Sequence, residues 1–309
     1  MYIDNLQTIR LRDAFRSADR PKYSFNYLRS GLEFVLKESS LARLENKKIL
    51  VPAFICPIVP EVIRRCGFEP AKVDADLETF NVKISGEAAG AALVCHTFGA
   101  RCDIPDGMPV IEDCANFYEK ELEGDFGLFS LWKQLPNVRG GYIQTSEDLC
   151  IDHLGQDRLS LFEIFMKISG PHRMIFNFLR SKRELPKSCD VSSEKWDILK
   201  APRIFTKDFK AKKDVYDRLC RDFDDLGLEE FFIKQKMPKN SQPFNFSLRV
   251  KEEGKRDELL LALRRKGVFG DRLWYNAETE GCPNASLLAK TVINLPLHSE
   301  VLPKLKNVL

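Results

Sequence analysis

The first half of the chain alternates short apolar runs with segments in which apolar residues recur at helical spacing. Several of the runs are apolar throughout, as expected for strands that are covered on both faces. One helical segment follows Pro57 and ends at Gly67, a residue type that is common just beyond a helix. The pattern predicts β-α-β units and a mainly parallel sheet. The predicted strands comprise residues 48–52, 71–73, 91–95, 109–112, 127–131 and 141–145.

The pattern changes in the last third of the chain. A basic stretch that carries two prolines, residues 170–191, is interpreted as the passage between two domains. Beyond it, the spacing predicts a charged helix, a strand, a second helix and a second strand, at residues 209–226, 244–250, 256–266 and 292–295. We therefore predict an α/β fold, with a mostly parallel sheet in a large domain over residues 1–190 and a small α+β domain over residues 191–309.

Composition and charge exclude several classes of function. Apolar residues make up 44% of the chain, and 48 basic against 45 acidic residues give a net charge of +3. That balance gives no general argument for nucleic-acid binding, for which clustered positive charge would be expected. No apolar run is long enough to span a bilayer, and the first residues do not resemble a signal peptide. The nine cysteines are scattered without a C-x-x-C pair, which suits reduced thiols in a cytoplasmic protein. The four histidines lack metal-ligand spacing, so no metal site is expected.

A small polar motif precedes the first segment of helical spacing. It reads Ser30-Gly31-Leu32-Glu33. Ser30 and Glu33 have the spacing of a capping box, which predicts that a helix begins here. A glycine near a helix start lets a ligand approach the backbone closely, and N–H groups at a helix start attract phosphate. Taken singly, the motif fits either a phosphate site or a capped helix that binds nothing.

An acidic pair, Glu112 and Asp113, ends one of the predicted strands. Open α/β sheets bind their ligands at the carboxyl ends of the strands. A carboxylate at that position could keep a pyridine nitrogen protonated, as a pyridoxal cofactor requires. Alternatively, Asp113 only caps the helix that follows.

A lysine follows another predicted strand, in the segment Phe129-Ser130-Leu131-Trp132-Lys133. Apolar and aromatic neighbours can desolvate a lysine and favour its neutral, nucleophilic amine, which a Schiff-base enzyme needs. Arg139-Gly140-Gly141 then opens the next strand. The alternative interpretation is a surface lysine at a strand end, followed by a turn.

In chain order, these motifs resemble those of the DegT/StrS-type sugar aminotransferases, which are fold-type I pyridoxal-phosphate enzymes. The resemblance covers most of the chain and rests on an ordered set of motifs. The set consists of Ser30-Gly31-Leu32, Leu50-Val51-Pro52-Ala53-Phe54, Val73-Asp74-Ala75-Asp76, His96-Thr97-Phe98-Gly99, Glu112-Asp113-Cys114-Ala115-Asn116, Gly124-Asp125-Phe126-Gly127-Leu128-Phe129-Ser130, Arg264-Arg265-Lys266-Gly267-Val268 and Leu295-Pro296-Leu297-His298.

The resemblance implies a role for each matching residue. Lys133 would carry pyridoxal 5′-phosphate on its amine and then move protons. Asp113 would pair with the pyridine nitrogen, and Asn116 would lie near the 3-oxygen of the ring. The remaining implied roles are phosphate binding by Ser130 and by the backbone of Gly31, Leu32 and Glu33, stacking on the ring by Cys56, and a place in the substrate pocket for His96.

The activity that the resemblance implies is amino transfer from glutamate or glutamine to a nucleotide-linked keto sugar, by a homodimer, in amino-sugar or surface-polysaccharide biosynthesis. One alternative is a sugar dehydratase. In the dehydratases of this family a histidine replaces the cofactor lysine, so Lys133 favours transfer. The other alternative is a non-catalytic binding protein on the same scaffold. Two departures bear on it: the residue expected to stack on the ring is not a clear aromatic, and the Gly-Tyr-Asn-Tyr-Arg segment by which a neighbouring subunit completes the site has no counterpart. A further departure is Leu32, which replaces a threonine of the phosphate loop.

Overall fold

A computed structural model describes residues 22–25, 27–86, 88–117, 122–130, 133, 141–149 and 201–309. The predicted interdomain passage, residues 170–191, and the predicted domain boundary lie outside these residues. Among the helices of the described ranges, none is long and apolar enough to cross a membrane.

A seven-stranded sheet forms the core of the N-terminal part. Its strands are β1 (Lys22–Phe25), β2 (Lys48–Pro52), β3 (Glu69–Val73), β4 (Ala91–Cys95), β5 (Val110–Cys114), β6 (Phe126–Ser130) and β7 (Gly141–Thr145), in the spatial order β1-β7-β6-β5-β4-β2-β3. β2 to β6 run parallel, whereas β7 pairs antiparallel with β6 and β1 pairs antiparallel with β7. The predicted α/β fold with a mainly parallel sheet is confirmed.

The predicted strands lie within two residues of the observed ones because burial on both faces demands apolar runs. All five residues of β4 are buried, as are all five of β5 and of β6. β1 was not predicted. It is a short strand at the sheet edge with the sequence Lys-Tyr-Ser-Phe, in which one position, Phe25, is apolar and buried.

Helix α1 (Leu28–Glu38) packs its apolar side on this sheet, and α2 (Ile58–Arg65) packs beside it. The predicted capping box is wrong, because α1 begins before Ser30, with Tyr27 at the N-cap. Leu28, in the first turn of the helix, packs over Gly141. Glu33 instead accepts a hydrogen bond from Lys37 at 2.6 Å. The predicted end of α2 is confirmed, since Gly67 follows it with φ +82°.

The C-terminal part is the predicted α+β unit. It contains α3 (Ala201–Asp225), β8 (Phe232–Lys234), β9 (Phe246–Val250), α4 (Lys255–Arg265), α5 (Pro283–Thr291), β10 (Val292–Leu295) and α6 (Val301–Lys306). Its strands form an antiparallel sheet in the order β10-β9-β8. Short 3₁₀ helices occur at Ser40–Arg43, Thr97–Gly99 and Leu228–Glu230.

The two parts are joined by buried contacts. Trp274 of the C-terminal part enters the core of the large sheet, where its ring lies 5.3 Å from that of Phe54 and 4.7 Å from that of Phe98. The Gln242 N–H donates to the carbonyl of Gly99 at 2.8 Å. These contacts hold the C-terminal part against the carboxyl end of β4.

Gly99 permits this close approach. Its φ is +92°, and a Cβ there would lie 1.8 Å from the Gln242 carbonyl oxygen. We expect Gly99→Ala to lower the free energy of unfolding by about 3 kcal/mol or more, from backbone strain and steric overlap together. Gly107→Ala is the matched control, because φ is +81° but no heavy atom lies within 4 Å of the added Cβ. That variant should lose about 1 kcal/mol in urea denaturation. Equal losses in the two variants would contradict the contact between Gly99 and Gln242.

Candidate active site

The carboxyl ends of the parallel strands bring most of the predicted site residues to one edge of the sheet. Asp113 lies near the end of β5, Ser130 ends β6, and Cys56 and Asn116 follow β2 and β5. Lys133 follows β6 by three residues. Parallel strands place their carboxyl ends together, so residues far apart in the chain meet here.

Successive residues of a strand point to opposite faces, and this separates the acidic pair. Asp113 is in register with Cys95 and Leu128, whose side chains belong to the core beneath α1 and α2. Glu112 therefore points to the other face, where it meets His96. The two carboxylates therefore have different environments.

Asp113 is a buried carboxylate with one oxygen committed to the backbone. Its Oδ1 accepts a hydrogen bond from the Ala115 N–H at 2.9 Å. Burial raises the pKa of Asp113 above its ordinary value, and the positive charge of Lys133 opposes that rise. The Lys133 ammonium group therefore lies within electrostatic range of the Asp113 carboxylate. The Lys133 side chain is exposed, so it is accessible from solvent.

Asn116 carries an unsatisfied polar atom in the protein interior. The residue is 2% exposed, and its Oδ1 accepts no hydrogen bond from any described residue. Buried polar atoms are nearly always hydrogen-bonded, so an exception suggests that a partner is missing. A ligand that binds beside Asp113 could supply that partner.

Ser130 lies next to the N-terminal end of α1. It is in register with Gly141, and Leu28 of the first turn of α1 packs on that glycine. Ser130 shares a strand face with Leu128, on the side of the sheet that α1 covers. A helix start and a serine hydroxyl are thus close together, which suits an anion.

Gly31, Leu32 and Glu33 lie slightly further along α1 than a phosphate loop would require. The Gly31 N–H is 3.3 Å from the Tyr27 carbonyl oxygen, and a Cβ on Gly31 would be 3.2 Å from Ile143. Packing of α1 on β7 therefore accounts for this glycine. Leu32 is buried in the core. The phosphate role of these three residues stays a prediction.

His96 belongs to a hydrogen-bonded network on the opposite face of the sheet. Its Nδ1 accepts from the Cys102 N–H at 3.0 Å, and its Nε2 lies 3.1 Å from Glu112 Oε2. The other oxygen of Glu112 accepts from the Gly124 N–H. Since His96 is 1% exposed and uses both ring nitrogens, a substrate contact would require one of these bonds to break. Its place in the substrate pocket stays a prediction.

The same network argues against a metal centre. The ligand atoms of His96, Glu112 and Cys114 lie within 4.8 Å of one another. However, Nδ1 of His96 accepts an N–H and so carries no proton, which leaves the ring proton on Nε2. A metal ion at Nε2 would have to displace that proton and the bond to Glu112. We assign a structural role to this cluster, because its hydrogen bonds join β5 to the segment that precedes β6.

Cys56 is half-buried with a free thiol, and its stacking role stays a prediction.

No protein-family model and no curated protein matches this sequence. Solved structures do match the fold. GDP-4-keto-6-deoxy-D-mannose-3-dehydratase of E. coli with bound hydrated PLP is 16% identical, with a TM-score of 0.69 over 93% of this chain and 87% of that one. A DegT DnrJ EryC1 StrS aminotransferase from Brucella abortus is 15% identical, with a TM-score of 0.64 over 93% and 84% of the two chains. A protein assigned as a sugar aminotransferase from Streptococcus pneumoniae, in its PLP form, is 16% identical, with a TM-score of 0.66 over 96% and 88%. The predicted aminotransferase-like fold is confirmed.

Proposed function

We propose that this protein is a pyridoxal-phosphate-dependent enzyme that transfers an amino group to a keto sugar. The observation that carries the proposal is a buried carboxylate, Asp113, within electrostatic range of the Lys133 amine at the carboxyl edge of the sheet. Proteins of similar fold include a PLP-bound sugar dehydratase and sugar aminotransferases. The unsatisfied Oδ1 of Asn116 adds support, because it needs a partner from outside the described residues.

The residues at this edge fit the chemical groups of pyridoxal phosphate. Asp113 would accept the proton of the ring nitrogen, and Asn116 would bind the ring oxygen. Ser130 and the start of α1 would bind the phosphate, and Cys56 would lie against the ring. Lys133 would hold the cofactor covalently through its amine. When bound, the cofactor withdraws electrons from the substrate carbon that carries the nitrogen.

The protein residues supply position and proton transfer. One oxygen of Asp113 is held by the Ala115 N–H, and the carboxylate would pair with the ring nitrogen through the other. Ionised Asp113 would keep that nitrogen protonated, because burial strengthens the attraction between the two charges. The Lys133 amine, once free, can take a proton from one carbon and return it to another, as a general acid–base.

Lys133 favours transfer over dehydration. Dehydration of a sugar requires the amine form of the cofactor to persist, and a lysine that moves protons efficiently works against this. The alternative of a sugar dehydratase is supported by the similar fold of one such enzyme. We further propose glutamate or glutamine as the amino donor, a nucleotide-linked keto sugar as the acceptor and a cytoplasmic homodimer as the active form. These proposals rest on the resemblance of the sequence motifs.

A spectroscopic test separates the alternatives. Glutamate or glutamine should convert the aldehyde form of the bound cofactor to its amine form with release of the keto acid, and a keto sugar should restore the aldehyde form. The sugar product is then identified by mass. A product that lacks a hydroxyl and carries no nitrogen would make the protein a dehydratase. A spectrum that no amine or sugar changes would favour the non-catalytic alternative.

A further inference from the structure

We propose that His96 is a positioning residue for the candidate site: its ring fixes Phe117, and Phe117 holds Asn116 where the ring oxygen of the cofactor can reach it. This inference rests on the proposed function, because it explains how one residue of the same site is kept in place. It gives His96 a role that needs no contact with a substrate.

The Asn116 side chain needs a restraint, because its Oδ1 atom is buried without a partner among the described residues. A buried acceptor that forms no hydrogen bond costs free energy, so an unrestrained side chain would turn towards water. Asn116 lies in the turn after β5, which is closed by a hydrogen bond from the Phe117 N–H to the Cys114 carbonyl oxygen at 3.1 Å. Such a bond contributes little net stability, so a further contact must hold the turn.

Phe117 supplies that contact on the face of the sheet where His96 lies. The residue is 1% exposed, and its ring stacks on the His96 ring, with the two centres 4.3 Å apart and the planes inclined by 27°. Stacked rings attract each other in a preferred geometry, beyond the effect of burial alone. Because Asn116 directly precedes Phe117, a fixed Phe117 ring also fixes the backbone from which the Asn116 side chain extends.

The His96 ring is a firm surface for this stacking because both of its nitrogens are bound. Its Nδ1 accepts from the Cys102 N–H, and its Nε2 donates to Glu112. Glu112 is held in turn by the Gly124 N–H. These partners belong to three segments of the chain, so the ring cannot rotate without breaking at least one of the bonds. The backbone N–H of His96 also donates to the Asp113 carbonyl oxygen at 3.3 Å, which ties the ring to the end of β5.

A positioning role and a purely structural role lead to different results. A residue that only stabilises the fold should affect the binding of every ligand of the site alike. A residue that positions Asn116 should affect only the contact that Asn116 makes. In the proposed function that contact is with the 3-oxygen of the cofactor ring.

The test compares two cofactor analogues that cannot react with a lysine. 4′-Deoxypyridoxine 5′-phosphate carries the 3-hydroxyl group, and its 3-deoxy counterpart lacks it. Calorimetry on cofactor-stripped protein gives the ratio of their affinities, here the hydroxyl ratio. Asn116→Ala should lower this ratio by about threefold to tenfold, since one hydrogen bond is lost. His96→Gln, which keeps an amide for Glu112 but removes the stacked ring, should lower it by about twofold to tenfold.

Two further variants test the link between the rings and Asn116. Phe117→Leu removes the other ring of the stacked pair, so it should lower the hydroxyl ratio to a similar extent as His96→Gln. His96→Gln combined with Asn116→Ala should lower the ratio no further than Asn116→Ala alone, because the two residues act through one contact.

Asn294→Ala is the matched control, because Asn294 forms the same kinds of hydrogen bond in the C-terminal part. The residue is 3% exposed. Its Oδ1 accepts from the Leu273 N–H at 3.1 Å, and its Nδ2 donates to the Ser247 hydroxyl at 3.0 Å. As with the His96 ring, one backbone N–H and one side-chain acceptor are left unpaired when it is removed. The variant should be less stable in thermal melts but should keep the natural hydroxyl ratio.

The outcomes distinguish this inference from the proposed function. If neither analogue binds to the natural protein, the proposed function is wrong and this inference is wrong with it. If both bind, but Asn116→Ala or both ring variants leave the hydroxyl ratio unchanged, the cofactor site stands and the positioning role is overturned. A fall in both ring variants that is absent from Asn294→Ala, and that adds nothing to Asn116→Ala, supports the inference. If thermal melts show that one ring variant is unfolded, the other decides.

Discussion

Replacing Lys133 by alanine is expected to slow amino transfer by roughly four orders of magnitude or more, while the cofactor still binds. The variant loses both the covalent attachment and the group that moves protons. Asp113, Ser130 and the start of α1 would still hold the cofactor without a covalent bond. The measurement follows the absorbance of bound cofactor in a single turnover with glutamate, beside an equilibrium titration of cofactor binding.

Two further variants separate the amine chemistry of Lys133 from its charge. Lys133→Arg keeps the positive charge near Asp113 but cannot lose a proton at neutral pH, so it should be as inactive as the alanine variant. Lys37→Ala removes an exposed lysine from α1 and should retain normal turnover. Substantial transfer by Lys133→Arg would show that another group supplies the amine.

Asp113→Asn is expected to reduce turnover by several orders of magnitude with a smaller effect on substrate binding. An amide cannot balance the charge of a protonated ring nitrogen, so the cofactor becomes a weaker electron sink. Steady-state kinetics should show the loss mainly in kcat. A variant with near-normal kcat would exclude the pairing of Asp113 with the ring nitrogen.

The same substitution should stabilise the cofactor-free protein at pH 7. Burial raises the pKa of Asp113 above its ordinary value of 3.8, so folding disfavours the ionised form. The free energy of unfolding of the natural protein consequently falls as the pH rises from that ordinary value through the raised pKa. Above the raised pKa, the full destabilisation by the buried charge is present. Asparagine avoids this cost. Urea denaturation should show a more stable variant at pH 7, with a difference that shrinks towards pH 4. A less stable variant at pH 7 would contradict the burial argument.

Most of the large sheet could be predicted because its strands are buried on both faces. A run such as Ala91–Cys95 has a single interpretation once its length is considered. Helix α5 was not predicted, since its start depends on a contact that is distant in the chain. The carboxylate of Asp74 accepts hydrogen bonds from the N–H groups of Asn284 and Ala285, at 3.1 and 2.7 Å. No local pattern around Pro283 reveals such a cap.

The position of the candidate site could be predicted from the sequence, but the surroundings of its residues could not. Order along the chain and strand ends were sufficient to bring Asp113, Ser130 and Lys133 to one edge. The surroundings of each side chain could not be predicted in this way, because they depend on the sheet face on which the side chain lies and on its partners from other strands. His96 illustrates this: the residues that occupy its ring nitrogens are Cys102 and Glu112, one beyond the end of its strand and the other on the next strand.

The central claim is that Lys133 carries pyridoxal phosphate. Protein purified with the cofactor is reduced with borohydride, which fixes the cofactor to whichever amine holds it, and the digested peptides are analysed by mass spectrometry. The account predicts a pyridoxyl group on Lys133, and none after the same treatment of Lys133→Ala. A pyridoxyl group on another lysine, or on none in protein that retains the cofactor, would contradict it.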